Sequence, residues 1–482
     1  MLSNCDGDLL TNSYRSEKVI NGFYGLASLS WRDQIFLEFT ARNDWSSTLP
    51  LHNNSYFYPS VNLSVLLHEI LDFRDRASWV DYLKVRGSWA NVGNDTSPYN
   101  LYDLYSQSNV FDSAYGVGNS VKNADLKPEN VRSWEAGLEA KFLKNRLGFD
   151  VTFYDNTTYN QIISVPSDMS SGASSKLINA GNVNNRGLEI MAYFVPLDVG
   201  NWMWRVTMNW SKNRNTLREL APGVERWQMN SSNDLGGRIF IYAAPGQDMG
   251  HIYASGYKRA PEGAFYLDDK GNKIDCSGEI VVDKSSGNPV YTNELLNHGS
   301  VFPDWKGGMT HSLKWRFLTL SAAFSWQIGG KAYSVTHYGL STTGKLKNTL
   351  EGRYDGFVFQ GVNLNEDGTY SRNRTITADA VDCYRNYIYT QNNIETSIHD
   401  TSYLKLKQLS LTYTMNRKTL KKSKVFKGFK VSIFATNLFC ITDWPQYDPE
   451  TASFGGGLLN RGVETGAYPM TRTYGGNITL TF

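Results

Sequence analysis

The chain has 482 residues, of which 41% are apolar and 20% charged, and its formal net charge is +2. So balanced a composition is typical of neither a nucleic-acid-binding protein nor a disordered chain. The 29 Tyr, 23 Phe, 13 Trp and 42 Gly residues, against only 14 Pro, favour many strands and turns over packed helices. No run of 18 apolar residues exists, which excludes a transmembrane helix, and residues 1–18 lack the basic start and apolar core of a signal peptide.

Reactive side chains form no recognisable constellation. The four cysteines are widely separated and show neither a zinc signature nor a disulfide framework: Cys5, Cys276, Cys383 and Cys440. The seven histidines occur singly, without an H-E-x-x-H or G-x-S-x-G motif. We therefore expect no enzyme activity, no cofactor and no metal site, and we identify no catalytic residue.

Alternation of apolar and polar residues begins near residue 22 and recurs in chain order to the end. A period of two is typical of strands with one apolar and one polar face. The clearest segments are "GFYGLASLSW" (22–31), "QIFLEFTAR" (34–42), "SWEAGLEAKF" (133–142), "RLGFDVTFYD" (146–155), "NWMWRVTMNWS" (201–211), "LTLSAAFSWQIG" (318–329) and "GGNITLTF" (475–482).

These strands suit a membrane barrel better than a soluble β-sandwich, which also alternates. They are often about ten residues long, roughly twice the length usual in globular proteins. Aromatic residues such as Trp202, Trp204 and Trp315 lie at the ends of the apolar faces, where rings would meet the membrane interface. Acidic and basic residues keep to the opposite parity. The sequence therefore predicts an all-β, transmembrane antiparallel β-barrel.

The connections alternate between short and long, as in outer-membrane barrels. The short ones are predicted at 31–34, 143–146, 196–201 and 314–316, with longer ones on the same side at 68–81 and 416–428. The long polar ones are predicted at roughly 94–128, 219–299, 331–402 and 440–472. This pattern gives about thirteen membrane strands. An odd number would bring the first and last strands together in parallel, unlike bacterial single-chain barrels, and leaving them unpaired would expose two edges to hydrocarbon. We therefore expect the chain to be part of a larger barrel, with residues 1–17 as the remnant of an extracellular loop.

The polar faces carry both signs of charge and would face inward. A lumen with such a lining is wet or filled by a polar plug. The residues concerned are Glu38, Arg42, Lys84, Arg86, Glu135, Glu139, Lys141, Asp150, Glu189 and Arg205.

Three polar segments leave alternatives open. "DDKGNKID" (268–275) fits a glycine-turn hairpin better than an oxygen-rich calcium loop. The basic segment 416–430 fits a solvated periplasmic turn better than a nucleic-acid patch. Lys405 and Lys407 share parity with outward leucines, so either they meet lipopolysaccharide phosphates or a bulge interrupts the strand.

Four segments, in order, resemble the SusC/RagA family of TonB-dependent outer-membrane transporters. They are "NAGNVNNRGLEI" (179–190), "TSYLKLKQLSLTY" (401–413), "ATNLFCITDWPQYDPE" (435–450) and "YPMTRTYGGNITLTF" (468–482). The chain departs from the family pattern at Ala124 and Pro128 in "NADLKPE" and at Trp444-Pro445.

The resemblance implies that residues 18–482 are the C-terminal portion of a roughly 22-stranded barrel, whose plug domain and TonB box are absent from this sequence. It implies import of oligosaccharides or peptides across the outer membrane of a Gram-negative, Bacteroidetes-like bacterium. A SusD-like lipoprotein would cover the extracellular mouth, and the TonB–ExbB–ExbD system would supply energy. A barrel adhesin or enzyme and a soluble, aromatic-rich glycan-binding protein are the alternatives.

Within the resembling segments most residues are expected to have structural roles. Asn182, Asn185, Gly187 and Glu189 would serve turn geometry and inward hydrogen bonding, and Asp448-Pro449-Glu450 would form a capped turn. The alternating row at the end of the sequence is expected to be the signal read by the barrel-assembly machinery: Tyr474, Ile478, Leu480 and Phe482.

The long connections are rich in aromatic residues, and the substrate itself is not specified by the sequence. Rings flanked by Asn and Asp suit sugars, and they suit peptides or a protein partner equally well. The candidates are Tyr99, Tyr102, Tyr105, Trp227, Tyr253, Tyr257, Tyr354 and Tyr384.

Overall fold

A computed structural model describes residues 15–73, 77–107, 114–232, 239–377, 379–415, 425–451, 461–468 and 470–482. Its main element is one antiparallel sheet of thirteen strands in sequential order, which we call the wall. The strand count agrees with the prediction. The wall strands are β1 (Ile20–Trp31), β2 (Ile35–Ser46), β3 (Ser55–Leu66), β4 (Val80–Asn94), β5 (Glu129–Phe142), β6 (Leu147–Tyr159), β7 (Asn182–Val199), β8 (Trp202–Glu219), β9 (Trp305–Trp315), β10 (Leu318–Ile328), β11 (Tyr403–Thr414), β12 (Gly428–Thr442) and β13 (Thr473–Thr481).

The remaining elements are short and lie in the connections. The strands are Tyr105–Gln107, Tyr115–Val117, Ser120–Val121, Ile162–Pro166, Ser175–Asn179, Trp227–Ser232, Ile239–Ala243, His251–Tyr257, Phe265–Leu267, Lys273–Asp275, Tyr291–Ser300, Lys331–Ser334, Val362–Leu364, Tyr370–Arg372, Ile398–Asp400 and Val463–Glu464. The α-helices are Leu67–Ile70, Val335–Thr342 and Ala380–Asp382, followed by the π-helix Cys383–Ile388; the 3₁₀ turns are Met169–Ser171, Lys347–Thr349, Ile394–Ser397 and Pro449–Thr451. No helix in these ranges is long and apolar enough to cross a bilayer.

The pairing register keeps each kind of residue on its own face of the wall. Thr207 lies opposite Thr310 on the polar face, and the next pair along, Val206 and His311, lies on the apolar face. The ring of Trp204 stacks beside His311, and its indole nitrogen donates a hydrogen bond to that imidazole. The alternation of residues in the sequence is therefore the alternation of the two faces of the sheet, and His311 is a residue of strand β9.

The apolar rows of the wall remain open to the surroundings. Leu320 is 43% exposed, Ile433 59% and Ile478 65%. In the middle of a dry sandwich such side chains would be almost fully buried. Within the described ranges the wall has this uncovered face, which argues against the soluble sandwich alternative.

Both outer strands of the wall have a free edge among the described residues. β1 pairs only with β2, and β13 pairs only with β12. Free backbone N–H and C=O groups are costly in hydrocarbon, at several kcal/mol for each group.

Most short connections lie where they were predicted, with corrections at two of them. The connection predicted at 314–316 is formed by Arg316 and Phe317, because β9 continues to Trp315. The other correction concerns residues 196–201. β7 continues to Val199 through an irregularity between Phe194 and Leu197, so that only Gly200 and Asn201 form the turn. Gly200 has a φ of 62°, which glycine adopts without strain. Val195 and Pro196 face the single residue Arg205 of β8, so one added residue shifts the sequence parity of β7 at this point.

Glycine allows aromatic side chains to lie flat against the inner face of the wall. A β-carbon at Gly187 would be 2.4 Å from the Tyr154 ring. Gly187 therefore serves close approach within a strand rather than a turn. Asn182, the first residue of the same strand, donates a hydrogen bond to Glu219 over 2.7 Å.

The hydrophobic cores of the described residues lie mainly in the long connections, with some residues from the ends of wall strands. One core contains Ile239, Ile252, Tyr333, Ile394 and Val463, which come from segments far apart in sequence. We call the assembly formed by residues 220–304, 331–402, 443–451 and 461–468 the loop layer, within the described ranges. A second core joins it to residues such as Leu217 at the end of β8. The long connections thus fold together over one end of the wall.

Candidate functional site: the inner wall and the loop layer

The inner face of the wall carries a network of paired charges. Arg86 on β4 donates to Asp150 on β6 over 2.6 Å and to the Thr152 hydroxyl over 2.6 Å. Lys141 pairs with Glu139, and the guanidinium of Arg205 lies 4.6 Å from the centre of the Tyr193 ring. The mixed-sign lining predicted from the sequence is present. Such a surface is suited to water or to a polar protein segment and not to an apolar core.

A bulge in β11 turns two lysines inward. Against β10 the adjacent residues Ala323 and Phe324 pair with Gln408 and Leu406, so Lys407 is the added residue. Against β12 the register also shifts at this point, but the extra residue lies on β12, where Asn437 and Leu438 face Lys407. The bulge alternative is therefore correct, and the lipopolysaccharide contact is wrong for Lys405. Only 4% of the Lys405 side chain is exposed, which leaves it no access to a phosphate outside the wall.

The two lysines meet the acidic turn at the end of the family-like segment. Lys405 donates to Asp448 and, over 2.6 Å, to Glu450, while Lys407 donates to Glu450. Asp448 also accepts from the Glu450 backbone N–H at 2.8 Å, as expected of a capped turn. Burial alone would raise the pKa of Glu450, but the hydrogen bonds from Lys405 and Lys407 outweigh it and hold that pKa below its usual value. Sequence reasoning recognised the turn and missed its partners, since the bulge reverses the apparent parity.

Two histidines share a buried polar cluster in the loop layer. His337 and His399 have ring centres 4.6 Å apart, and His337 also contacts the Ser397 hydroxyl and the Asn348 amide. Burial lowers the pKa of each imidazole to about 4, so both are neutral at pH 7. The described residues contain no group of three side chains able to hold a metal ion.

A buried glutamate ties the segment 461–468 to the loop layer. Glu464 accepts hydrogen bonds from the Ser334 and Thr336 hydroxyls, each at 2.6 Å, and from the Ala467 backbone N–H at 3.0 Å. These donors satisfy a carboxylate that is only 3% exposed. The bonds from Ser334 and Thr336 span 130 and 128 positions of sequence, so no local sequence pattern predicts them.

The segment 268–275 forms the hairpin favoured from its sequence. Strands Phe265–Leu267 and Lys273–Asp275 pair around the turn. Asp268 accepts from the backbone N–H groups of Lys270 and Asn272, and Asp269 pairs with Arg374. These carboxylates thus have partners within the protein. The basic segment 416–430 has its residues 416–424 outside the described ranges, as does most of the predicted remnant 1–17.

The aromatic candidates separate into three groups. Tyr257 and Tyr384 are buried in cores of the loop layer, and Trp227 packs against the second core. Tyr253 packs edge-on against Tyr242, beneath the guanidinium of Arg226. The exposed ones, which are free to meet a ligand, are Tyr99, Tyr102, Tyr105 and Tyr354.

A half-open cavity of about 750 Å³ lies within the loop layer. The cavity is lined by residues from the end of helix Val335–Thr342, the turn around Lys347–Thr349 and the π-helix Cys383–Ile388. Arg353 and Arg385 both contribute to its lining. No motif in the sequence pointed to these residues, because the cavity depends on contacts between separate parts of one long connection.

The sequence and the fold together match one family of proteins. The family described as "TonB dependent receptor-like, beta-barrel" matches residues 3–275, more than half of the chain. The chain belongs to this TonB-dependent receptor β-barrel family. Members are outer-membrane barrels of Gram-negative bacteria, and the relatives that match are named receptors rather than enzymes.

Among curated relatives, TonB-dependent receptor P3 of Formosa agariphila is 24% identical over 99% of this chain and 47% of its own length. TonB-dependent receptor SusC of Bacteroides thetaiotaomicron is 22% identical over 98% of this chain and 44% of its own length. The chain thus spans about half the length of the curated relatives it matches. This agrees with the SusC/RagA resemblance.

Solved structures support the fold. The RagAB peptide importer in its closed-closed state aligns with a TM-score of 0.75 at 22% identity, covering 100% of this chain and 50% of that one. A second RagAB peptide transporter structure gives 0.75 at 23% identity, with the same coverage. At this level of identity the likeness concerns the fold alone.

Proposed function

We propose that this chain forms part of an outer-membrane TonB-dependent importer of the SusC/RagA type, moving oligosaccharides or peptides into the periplasm. The observation that carries the proposal is the wall, with its open apolar rows outside and its paired charges inside. A receptor barrel needs both surfaces, because one meets lipid and the other meets water, substrate or a polar plug. Membership of the TonB-dependent receptor β-barrel family supports a receptor barrel over other outer-membrane barrels.

The two free edges support a wall completed by further strands. In this proposal residues 18–482 are the C-terminal portion of a barrel of roughly 22 strands, and residues 1–17 are the remnant of an extracellular loop. A plug domain and a TonB-contacting segment would lie elsewhere in the full-length protein. The coverage of about half of each relative is consistent with this arrangement.

The partners follow from the same proposal. A SusD-like lipoprotein would cover the loop layer, and the TonB–ExbB–ExbD system would supply energy through the segment outside this chain. The barrel-assembly machinery would read the outward row of β13 and the residue that follows it: Tyr474, Ile478, Leu480 and Phe482. The outer membrane of a Bacteroidetes-like bacterium is the proposed location. The apolar rows would contact lipid there.

Uptake by intact cells tests the proposed import. The gene encoding the full-length protein is deleted, and uptake of labelled short oligosaccharides and of a labelled tryptic digest is compared with the parent strain. We expect the uptake of either the oligosaccharides or the peptides to be lost on deletion, restored on complementation, and lost again when TonB is removed. Uptake that persists without TonB, at a normal surface level of the protein, would contradict the proposal and favour a passive pore or an adhesin.

A further inference from the structure

The cavity of the loop layer has the size and polarity of a binding site for a hydrophilic small molecule. Its volume of about 750 Å³ falls within the range of about 300–1,000 Å³ that is usual for ligand sites. Its lining differs from that of most such sites because hydroxyl and amide side chains predominate, among them Ser341, Thr343, Asn386 and Gln391. Groups that both donate and accept hydrogen bonds match the hydroxyls of sugar rings.

The charge of the cavity is positive. Arg353 and Arg385 line it, and no Asp or Glu is among its lining residues. The Arg353 guanidinium is held in place because Nε donates to the Thr349 carbonyl at 2.7 Å and Nη2 to the Gly344 carbonyl at 3.0 Å. Within the described ranges neither arginine forms a salt bridge. Two guanidinium groups without carboxylate partners favour an anionic ligand.

The nearby acids do not cancel this charge. Asp382 accepts a hydrogen bond from the Asn386 amide at 2.6 Å and stays outside the lining. Glu351 accepts from the Tyr384 hydroxyl through its backbone carbonyl, and its side chain does not line the cavity either. Arg385 is exposed and free to turn toward a ligand.

An uncommon backbone conformation forms one side of the cavity. Tyr384, Arg385 and Asn386 are three successive residues of the π-helix Cys383–Ile388, and all three line it. π-helical turns are rare and occur frequently at functional sites. Beneath them Cys383 and Ile388 are buried in a core that fixes this turn. The site is therefore a rigid surface that presents Arg385, and not a loose loop.

We infer that this cavity binds a uronate-containing oligosaccharide, with the sugar carboxylate held between Arg353 and Arg385 and the ring hydroxyls on the surrounding amides and hydroxyls. This inference rests on the proposed import function and names the substrate class. Among the lining residues Val381 is the aliphatic one, while Tyr338 and Tyr384 are aromatic, so the cavity offers rings against which a sugar can stack but few aliphatic contacts for the side chains of a peptide.

Calorimetry on the full-length protein in detergent tests the inference. The probes are a short oligogalacturonate, an uncharged galactose oligomer of equal length and an oligoglutamate peptide. We expect the oligogalacturonate to bind best, Arg385→Gln to weaken it about tenfold or more, and Arg385→Lys to recover part of the loss. Arg374→Gln is the matched control, since Arg374 is an exposed arginine of the same connection that does not line the cavity.

Absence of oligogalacturonate binding, equal affinity in the Arg385→Gln protein, or tighter binding of oligoglutamate would each overturn the inference. Unchanged migration of the folded barrel on unheated gels confirms that the variants fold. The uptake experiment separates the two proposals: TonB-dependent import with no effect of Arg385→Gln removes the cavity assignment and leaves the import function standing. Failure of TonB-dependent import removes the proposed function itself.

Discussion

Replacing Lys405 by Gln is expected to destabilise the junction between the wall and the loop layer by about 3–5 kcal/mol, the cost of removing one partner of a buried ion pair. Lys405 is the most buried member of its cluster and pairs with both Asp448 and Glu450. Without the ammonium group the Asp448 carboxylate, only 8% exposed, loses its lysine partner. Heat-induced unfolding of the full-length protein in detergent, followed on gels, measures the change, and hydrogen exchange at residues 443–451 locates it.

Lys407→Gln is the matched control. Its side chain is 34% exposed and, among the described residues, pairs with Glu450 and not with Asp448, so we expect a clearly smaller loss of stability. Acidity gives a second readout. Because the folded-state pKa of Glu450 lies below its ordinary value of 4.5, its contribution to stability is complete above that value and is lost as the pH falls through the folded-state pKa. This dependence should flatten in Lys405→Gln. Equal losses of stability in Lys405→Gln and Lys407→Gln would contradict the deeper burial of Lys405.

Replacing Phe482 by Ala in the full-length protein is expected to reduce the amount inserted in the outer membrane roughly tenfold, which corresponds to about 1.4 kcal/mol in a recognition equilibrium. Phe482 follows directly after β13, is 67% exposed, and its ring centre lies 5.3 Å from that of Phe426. An accessible ring beside a free strand edge is available to the assembly machinery. Outer-membrane fractionation with immunoblotting measures the inserted amount.

Two variants separate recognition from general damage to the strand. Phe482→Tyr retains the aromatic ring and should insert almost normally. Thr481→Ala alters the neighbouring residue of opposite parity, which pairs with Gly428, and should also insert. Normal surface levels of Phe482→Ala, or a loss in Thr481→Ala as large as in Phe482→Ala, would show that the outward row is not the signal.

The wall was predictable because its cause is local. Hydrocarbon on one side and polar surroundings on the other impose a period of two on every strand, so the faces of "NWMWRVTMNWS" or "LTLSAAFSWQIG" follow from their residues alone. A bulge breaks this rule. The added residue Lys407 moves the residues before it to the opposite face of the sheet. The sequence pattern alone is therefore compatible with a lysine on either face.

The loop layer was not predictable because its contacts are distant in sequence. His337 meets His399 across 62 positions, and Ser334 meets Glu464 across 130. Burial also divided the aromatic candidates in a way that residue type cannot show, since Tyr384 is 7% exposed and Tyr354 99%. Counting strands and connections located this layer at one end of the wall, but its cavity required the fold.

Spin labels along β10 test most directly whether the apolar rows of the wall touch hydrocarbon. Single cysteines are placed in turn at positions 319 to 325 of the full-length protein, in a background free of other cysteines, and the labelled proteins are reconstituted in lipid vesicles. We predict high collision rates with oxygen and low rates with a water-soluble nickel chelate at Leu320, Ala322 and Phe324, with the reverse preference at Ser321 and Ser325. Equally low collision rates with oxygen at both sets of positions, as expected in a dry protein interior, would contradict a membrane-spanning wall.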